Sequence, residues 1–174
     1  MNGWFTRILL ALGALAAAAI LAAAAVQQDQ DVNTRIILQA APAQVWGVLN
    51  DFPAYPEWNP SLRALEGQPK PKARTRFAEI FSDGSIVERE IWMKSMAKDH
   101  EFIWESDMAP LPGLLSAKRK LIMTPDAGGG TLLRHEIEFR GYLAGALMQG
   151  LFSRYAEAME QMNAALQKRL MRAS

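Results

Sequence analysis

Cysteine is absent from these 174 residues, which removes disulfides, thiolate nucleophiles and cysteine-type zinc sites and leaves the redox compartment open. Histidine is scarce as well: His100 and His135 are the only two, and no metal centre is expected. No GxSxG, P-loop, GxGxxG or HExxH signature occurs, so no local motif assigns an enzyme class or calls for a cofactor. An excess of charge of one sign is missing too. Lys and Arg number 19 against 18 Asp and Glu, a net +1 that gives no field for nucleic acid as a partner. Half of the residues are apolar, enough for one domain with a sizeable core.

Charge of either sign is missing from Ile8 to Val26, a run of 19 residues preceded by Trp4 and Arg7 and followed by Gln27-Gln28-Asp29-Gln30-Asp31. Such a run is long enough to span a bilayer. It exceeds the roughly 7 to 15 apolar residues of a signal-peptide core, while Ala22 to Ala25 also satisfies the small-residue rule for cleavage. Residues 1–26 are therefore expected to form a transmembrane anchor or a signal helix, with 27–31 a linker and 32–174 the domain. Arg7 places the domain on the extracytoplasmic side of the cytoplasmic (inner) membrane, and cleavage would leave it periplasmic.

Downstream the sequence alternates as β-strands do and then closes on a helix. Val32 to Gln39 is rich in β-branched residues and reads as a first strand. Leu62 to Leu65, Arg74 to Phe81, Ser85 to Met96, Glu101 to Ser106, Ala117 to Thr124 and Thr131 to Arg140 read as six more, with Ser82-Asp83-Gly84 as a hairpin turn. In the last of these Leu133, His135, Ile137 and Phe139 share one face while Arg134, Glu136, Glu138 and Arg140 share the other, as in a sheet with one wet side. Leu143 to Leu170 carries Leu147, Leu151, Tyr155, Met159, Met162 and Leu166 at spacings of three and four, so that stripe is expected on the inner sheet face. The fold class is α+β, an antiparallel sheet with a long C-terminal helix.

Between the first two strands lies Val45 to Pro60, VWGVLNDFPAYPEWNP. Pro42 suits a first helical turn, Val45, Trp46 and Leu49 recur at helical spacing, and Asp51 and Pro53 end the helix. Tyr55 to Pro60 is expected to be an aromatic elbow rather than regular helix, because each proline removes a donor. This helix, the phrase YPEWNP, and Gly141-Tyr142 leading into a helix with Met159, Met162, Asn163 and Leu166 resemble the SRPBCC or START-like (Bet v 1-like) superfamily. The similarity is closest to its bacterial polyketide cyclase/dehydrase-like branch and covers residues 32–170. It implies a helix-grip fold, in which the sheet wraps the C-terminal helix around an apolar cavity and two short helices follow the first strand. It implies a hydrophobic small molecule or lipid as the partner, here of a domain tethered to the membrane by its N-terminal helix. The rival is a cyclase/dehydratase-type enzyme acting on a polyketide-like substrate. A third reading is an interaction module using the apolar loop Met108 to Leu115, which also suits gating or membrane contact.

Candidate ligand-binding residues lie on the inward faces. Leu133, His135 and Ile137 are expected across a cavity from Leu147, Leu151 and Tyr155. His135 is the one titratable group that alternation places on an apolar face; burial would lower its pKa, and it could orient a ligand carbonyl, move a proton, or simply be satisfied within the core. Arg119 alternates with Ala117, Leu121 and Met123, pointing inward at an anionic headgroup unless the register slips at Pro112-Gly113. Phe77 and Trp104 are candidate aromatic walls, and the resemblance sets Trp58 at the cavity mouth. Trp92 is expected to pack, and Glu88 and Glu90 to face Lys or Arg on the wet side. No residue is expected to be catalytic.

Overall fold

The computed structural model describes residues 3–26, 29–66, 68–145 and 149–173. The alternating segments form β1 (Gln30–Leu38), β2 (Leu62–Ala64), β3 (Arg74–Ile80), β4 (Ile86–Ala97), β5 (Glu101–Asp107), β6 (Ser116–Pro125) and β7 (Thr131–Arg140). They make one antiparallel sheet of seven strands in the order β1-β7-β6-β5-β4-β3-β2. The β3–β4 hairpin closes because Gly84 takes φ +80°, a conformation that glycine adopts without penalty, while Asp83 Oδ1 accepts from the Ser85 N–H at 2.9 Å. Helices are α1 (Gly3–Val26), α2 (Pro42–Asn50), α3 (Tyr55–Trp58) and α4 (Gln149–Ala173), the last packed on β1, α2 and α3. The result is the helix-grip arrangement of a curled sheet holding a C-terminal helix.

Three details differ from the sequence expectations. β1 begins inside the expected linker, since Gln30 and Asp31 pair with Phe139 and Glu138, and Arg140 holds the Asp31 carboxylate at 2.8 Å. The elbow contains a true helical turn, because Pro53 and Pro56 occupy first-turn positions that need no N–H. α4 starts at Gln149, not Leu143: the Leu143 N–H donates to Leu114 O at 2.9 Å and the Ala144 N–H to Gly141 O at 3.1 Å, which makes a turn clamped to the β5–β6 loop. The expected membrane span falls on α1, whose side chains at 3, 5, 6, 17 and 20–26 lie outside the described residues; among the described residues no helix is long and apolar enough to cross a membrane.

Two apolar clusters fill the grip. One joins the elbow to the C-terminal half of α4 and includes Leu49, Phe52, Tyr55, Phe77, Phe102, Met123, Leu133 and Met162. The other lies where β1 begins and includes Val32, Phe81, Leu115, Ile137, Phe139, Tyr155 and Met159.

Candidate functional site: a polar belt inside the grip

What separates the two clusters is a row of polar side chains on the inner face. Thr34 falls between Val32 and Ile36 on β1, His135 between Leu133 and Ile137 on β7, and Arg119 between Ala117 and Leu121 on β6. Arg89 falls between Val87 and Ile91 on β4, and Glu79 between Phe77 and Phe81 along β3. Strand register aligns them: Thr34 pairs with His135, while Arg119 pairs with Ile137 and is thus the diagonal neighbour of His135. β5 contributes Trp104, which pairs with Arg119 and lies 5.7 Å from its guanidinium. Tyr155 and Asn163 enter from α4, two helical turns apart, and both are buried.

Glu79 is the hub on one side. Its Oε1 accepts from Arg119 Nη2 at 2.8 Å, and its Oε2 accepts from the Tyr155 hydroxyl at 2.8 Å and from Arg89 Nε at 3.3 Å. Burial, reinforced by the Glu79 charge, raises the Tyr155 pKa well above a phenol's ordinary value, so this hydroxyl stays a donor. Two guanidiniums share one carboxylate, which leaves this part of the interior net positive.

His135 organises the other side. Asn163 Nδ2 donates to Thr34 Oγ1 at 2.8 Å, so its Oδ1 faces His135 Nδ1, 3.3 Å away. His135 Nε2 is buried with no hydrogen-bond partner among the described residues. Burial, then the nearby Arg119 charge, holds the His135 pKa well below 6.5, with the Asn163 hydrogen bond opposing. The groups facing the ring are therefore Arg119 from β6, Asn163 from α4 and Thr34 from β1, and the imidazole is neutral at pH 7.

A stability consequence follows. Below pH 6.5 the unfolded chain protonates this imidazole while the native protein does not, so protons favour unfolding there. Stability contributed by the neutral ring is intact above pH 6.5 and is lost as pH falls toward the native pKa, with a slope of at most about 1.4 kcal/mol per pH unit. Urea titrations at pH 7.5, 6.0 and 5.0 should show this component in wild type and not in His135→Gln. Parallel pH profiles for the two proteins would contradict a neutral buried ring.

The sequence-derived candidates are distributed as follows. Leu133, His135, Ile137 and Arg119 all face inward, and Phe77 and Trp104 are buried edge-on to each other with ring centroids 5.7 Å apart. Trp58 is half-buried against Tyr55, with centroids 5.0 Å apart. Leu151 packs half-buried on the second cluster and Tyr155 is buried within it, but the helix residue touching His135 is Asn163, two turns beyond Tyr155. Leu147 lies outside the described residues. Trp92 lies on the outer face that alternation shares among Glu88, Glu90 and Lys94, 42% exposed and packed under Lys94 Nζ. Glu88 and Glu90 do pair with Arg76 and Arg74 on that wet face.

Glu79, Arg89, Thr34 and Asn163 escaped the candidate set. Each was readable by phase, as the polar residue set between apolar neighbours two apart on a strand, or on the α4 stripe between Met159 and Leu166. A groove of about 290 Å³ between β1 and α4, lined in part by Thr34, Glu160 and Asn163, gives solvent an approach to the Asn163 side. A larger groove of about 450 Å³ lies on the outer face among Arg74, Glu90, Trp92, Glu105, Lys118 and Arg140. Its charges are matched to one another, Arg74 with Glu90 and Lys118 with Glu105 at 3.8 Å, so the interior belt is the better candidate site.

Comparison with known proteins agrees with the architecture. The sequence profile of the family described as polyketide cyclase / dehydrase and lipid transport matches residues 29–171. The chain belongs to that family. No curated protein matches the chain at a significant level. Among solved structures, a START superfamily protein from Mycobacterium smegmatis aligns with TM-score 0.64 at 17% identity, over 83% of this chain and 99% of its own. The di-domain ARO/CYC BexL of the BE-7585A biosynthetic pathway aligns with TM-score 0.63 at 12% identity, over 80% of this chain and 49% of its own. A protein from Thermus thermophilus aligns with TM-score 0.62 at 18% identity, over 83% of this chain and 99% of its own. At these identities the likeness is one of fold. This polyketide cyclase / dehydrase and lipid transport family member shares its fold with that START superfamily protein.

Proposed function

We propose that the protein is a membrane-tethered carrier that holds a hydrophobic small molecule or lipid between α4 and the sheet. The observation that carries this reading is His135 Nε2, a fully buried polar atom without a partner among the described residues. Such an atom costs about 1 to 3 kcal/mol unless something hydrogen-bonds to it. Buried methionines support the reading, since Met93, Met123, Met159 and Met162 line the interior and unbranched thioethers repack around a guest readily. The family description, which includes lipid transport, points the same way. The enzymatic alternative, cyclase or dehydratase chemistry on a polyketide-like substrate, draws on the same description and needs an acid or base titrating near neutrality. The two belt residues with shifted pKa values move away from neutrality, His135 down and Tyr155 up.

The test is mass spectrometry of small molecules that leave the detergent-purified full chain on denaturation. A bound apolar molecule, recovered chemically unchanged after incubation, is expected. Protein that purifies empty and binds no apolar fluorophore would refute carriage, and conversion of the molecule by wild type but not by His135→Gln would establish the enzyme instead.

Support for the tether lies in the charge-free run Ile8 to Val26 after Arg7, which suits a single pass of the inner membrane with the domain outside the cytoplasm. Gln30 follows Val26 by four Cα steps, so chain length keeps it within about 15 Å of the helix end. Gln30 pairs with Phe139, next to Arg140 and Ser116 and beside the β5–β6 loop, where Leu111 is 64% exposed. A tether there presents the apolar loop and the exposed Tyr142 to the bilayer. Intact mass of the protein from the membrane fraction should match residues 1–174. A mature N-terminus between Ala23 and Gln27 would make the segment a cleaved leader and the domain periplasmic.

A further inference from the structure

Building on the carrier reading, we infer that the ligand is a neutral amphiphile with a hydroxyl at its polar end, an alcohol, phenol or enol. It binds head inward, that hydroxyl donating to His135 Nε2, with its tail in the apolar lobe where β1 begins.

The chemistry of the head follows from the hydrogen-bond chain of the belt. Asn163 spends its amide donor on Thr34 and turns its carbonyl oxygen to His135, so His135 Nδ1 carries the ring proton. A neutral imidazole has only one, and Nε2 is left as a bare acceptor. A ketone, ester or ether would set lone pair against lone pair there. A carboxylate would do the same and would have to compete with Glu79 for Arg119, which Glu79 already holds at 2.8 Å. An ammonium head would meet Arg119 and Arg89, for which Glu79 is the shared carboxylate. A hydroxyl avoids all three conflicts.

The direction of the tail follows from packing. On the elbow side the rings of Phe52, Tyr55, Phe77 and Phe102 already fill the space, with Phe52 within 5.0 to 5.9 Å of the other three. Half-buried side chains cover both lobes, but on the elbow side Trp46 and Trp58 are themselves held against the Phe102 and Tyr55 rings, whereas the second lobe is covered in part by the aliphatic Leu143 and Leu151, which directs the tail there.

The test uses the detergent-purified full chain and three probes of equal chain length: a 4-alkylphenol, its O-methyl ether and the corresponding 4-alkylbenzoate. Affinities are read by displacement of an apolar fluorophore and normalised by each probe's octanol partition. The phenol should bind about 3- to 10-fold tighter than the ether, and His135→Phe should erase that preference. If His135→Phe does not fold, the imidazole ¹⁵N spectrum of wild type decides, the Nδ1–H tautomer being expected and the Nε2–H tautomer contradicting the proposal. Equal affinities, or a tighter benzoate, would overturn the hydroxyl assignment while leaving carriage intact; failure of all three probes to bind would overturn carriage and this inference with it. A diazirine at the tail end should label peptides containing Leu115 or Leu151, and labelling of the Phe52 or Phe77 peptide would reverse the orientation.

Discussion

Replacing Glu79 by leucine should lower the unfolding free energy by about 3 to 5 kcal/mol, the usual cost of removing one partner from a buried ion pair. The effect is large because this carboxylate serves three donors at once, Arg119, Arg89 and the Tyr155 hydroxyl. Arg119 suffers most from the loss, since its guanidinium is almost wholly buried against that carboxylate. Adding Arg119→Leu to the Glu79→Leu background should restore about 1 kcal/mol or more, because it removes the stranded charge. Urea denaturation of the single and double variants measures both numbers. A Glu79→Leu protein within about 1 kcal/mol of wild type, taken as the lower edge of a significant mutational effect, would mean that the hub is not formed.

Gly141→Ala should cost about 1 to 3 kcal/mol and loosen the rim of the grip. Gly141 has φ +119°, and a Cβ there would lie 2.6 Å from Leu114 O and 2.8 Å from Gly113 O. Those carbonyls belong to the loop that receives the Leu143 N–H, so the clash should separate the β5–β6 loop from the segment leading into α4. The readouts are the urea midpoint and the rate of limited proteolysis at the loop. Gly47→Ala is the control: nothing lies within 4 Å of its added Cβ, and in a helix interior alanine should gain up to about 1 kcal/mol. Equal stability of the two variants would argue against the close approach at Gly141.

Much of the site was readable from alternation. With a period of two, the placement of Phe139 inward sets His135 inward as well, and Met123 does the same for Arg119. The same period sets Glu79 inward with Phe77, two residues before it on β3. Tyr155 was expected across from His135 because a helical stripe reports which face is inward and says nothing about axial position. Asn163 occupies that place, since α4 begins six residues later than Leu143 and its position along the sheet is set by packing on β1 and the elbow helices.

The sequence by itself determined the order of strands and helices, the wet and dry faces of β7 and the hairpin at Asp83-Gly84, because these depend on local periodicity and turn chemistry. It also carried the family resemblance in VWGVLNDFPAYPEWNP. Only the tertiary structure decided that polar residues from five strands and α4 meet in one belt between two apolar lobes. Which residue of one strand lies level with which residue of another depends on sheet register and on the seat of the helix, and both are long-range properties of the packed fold.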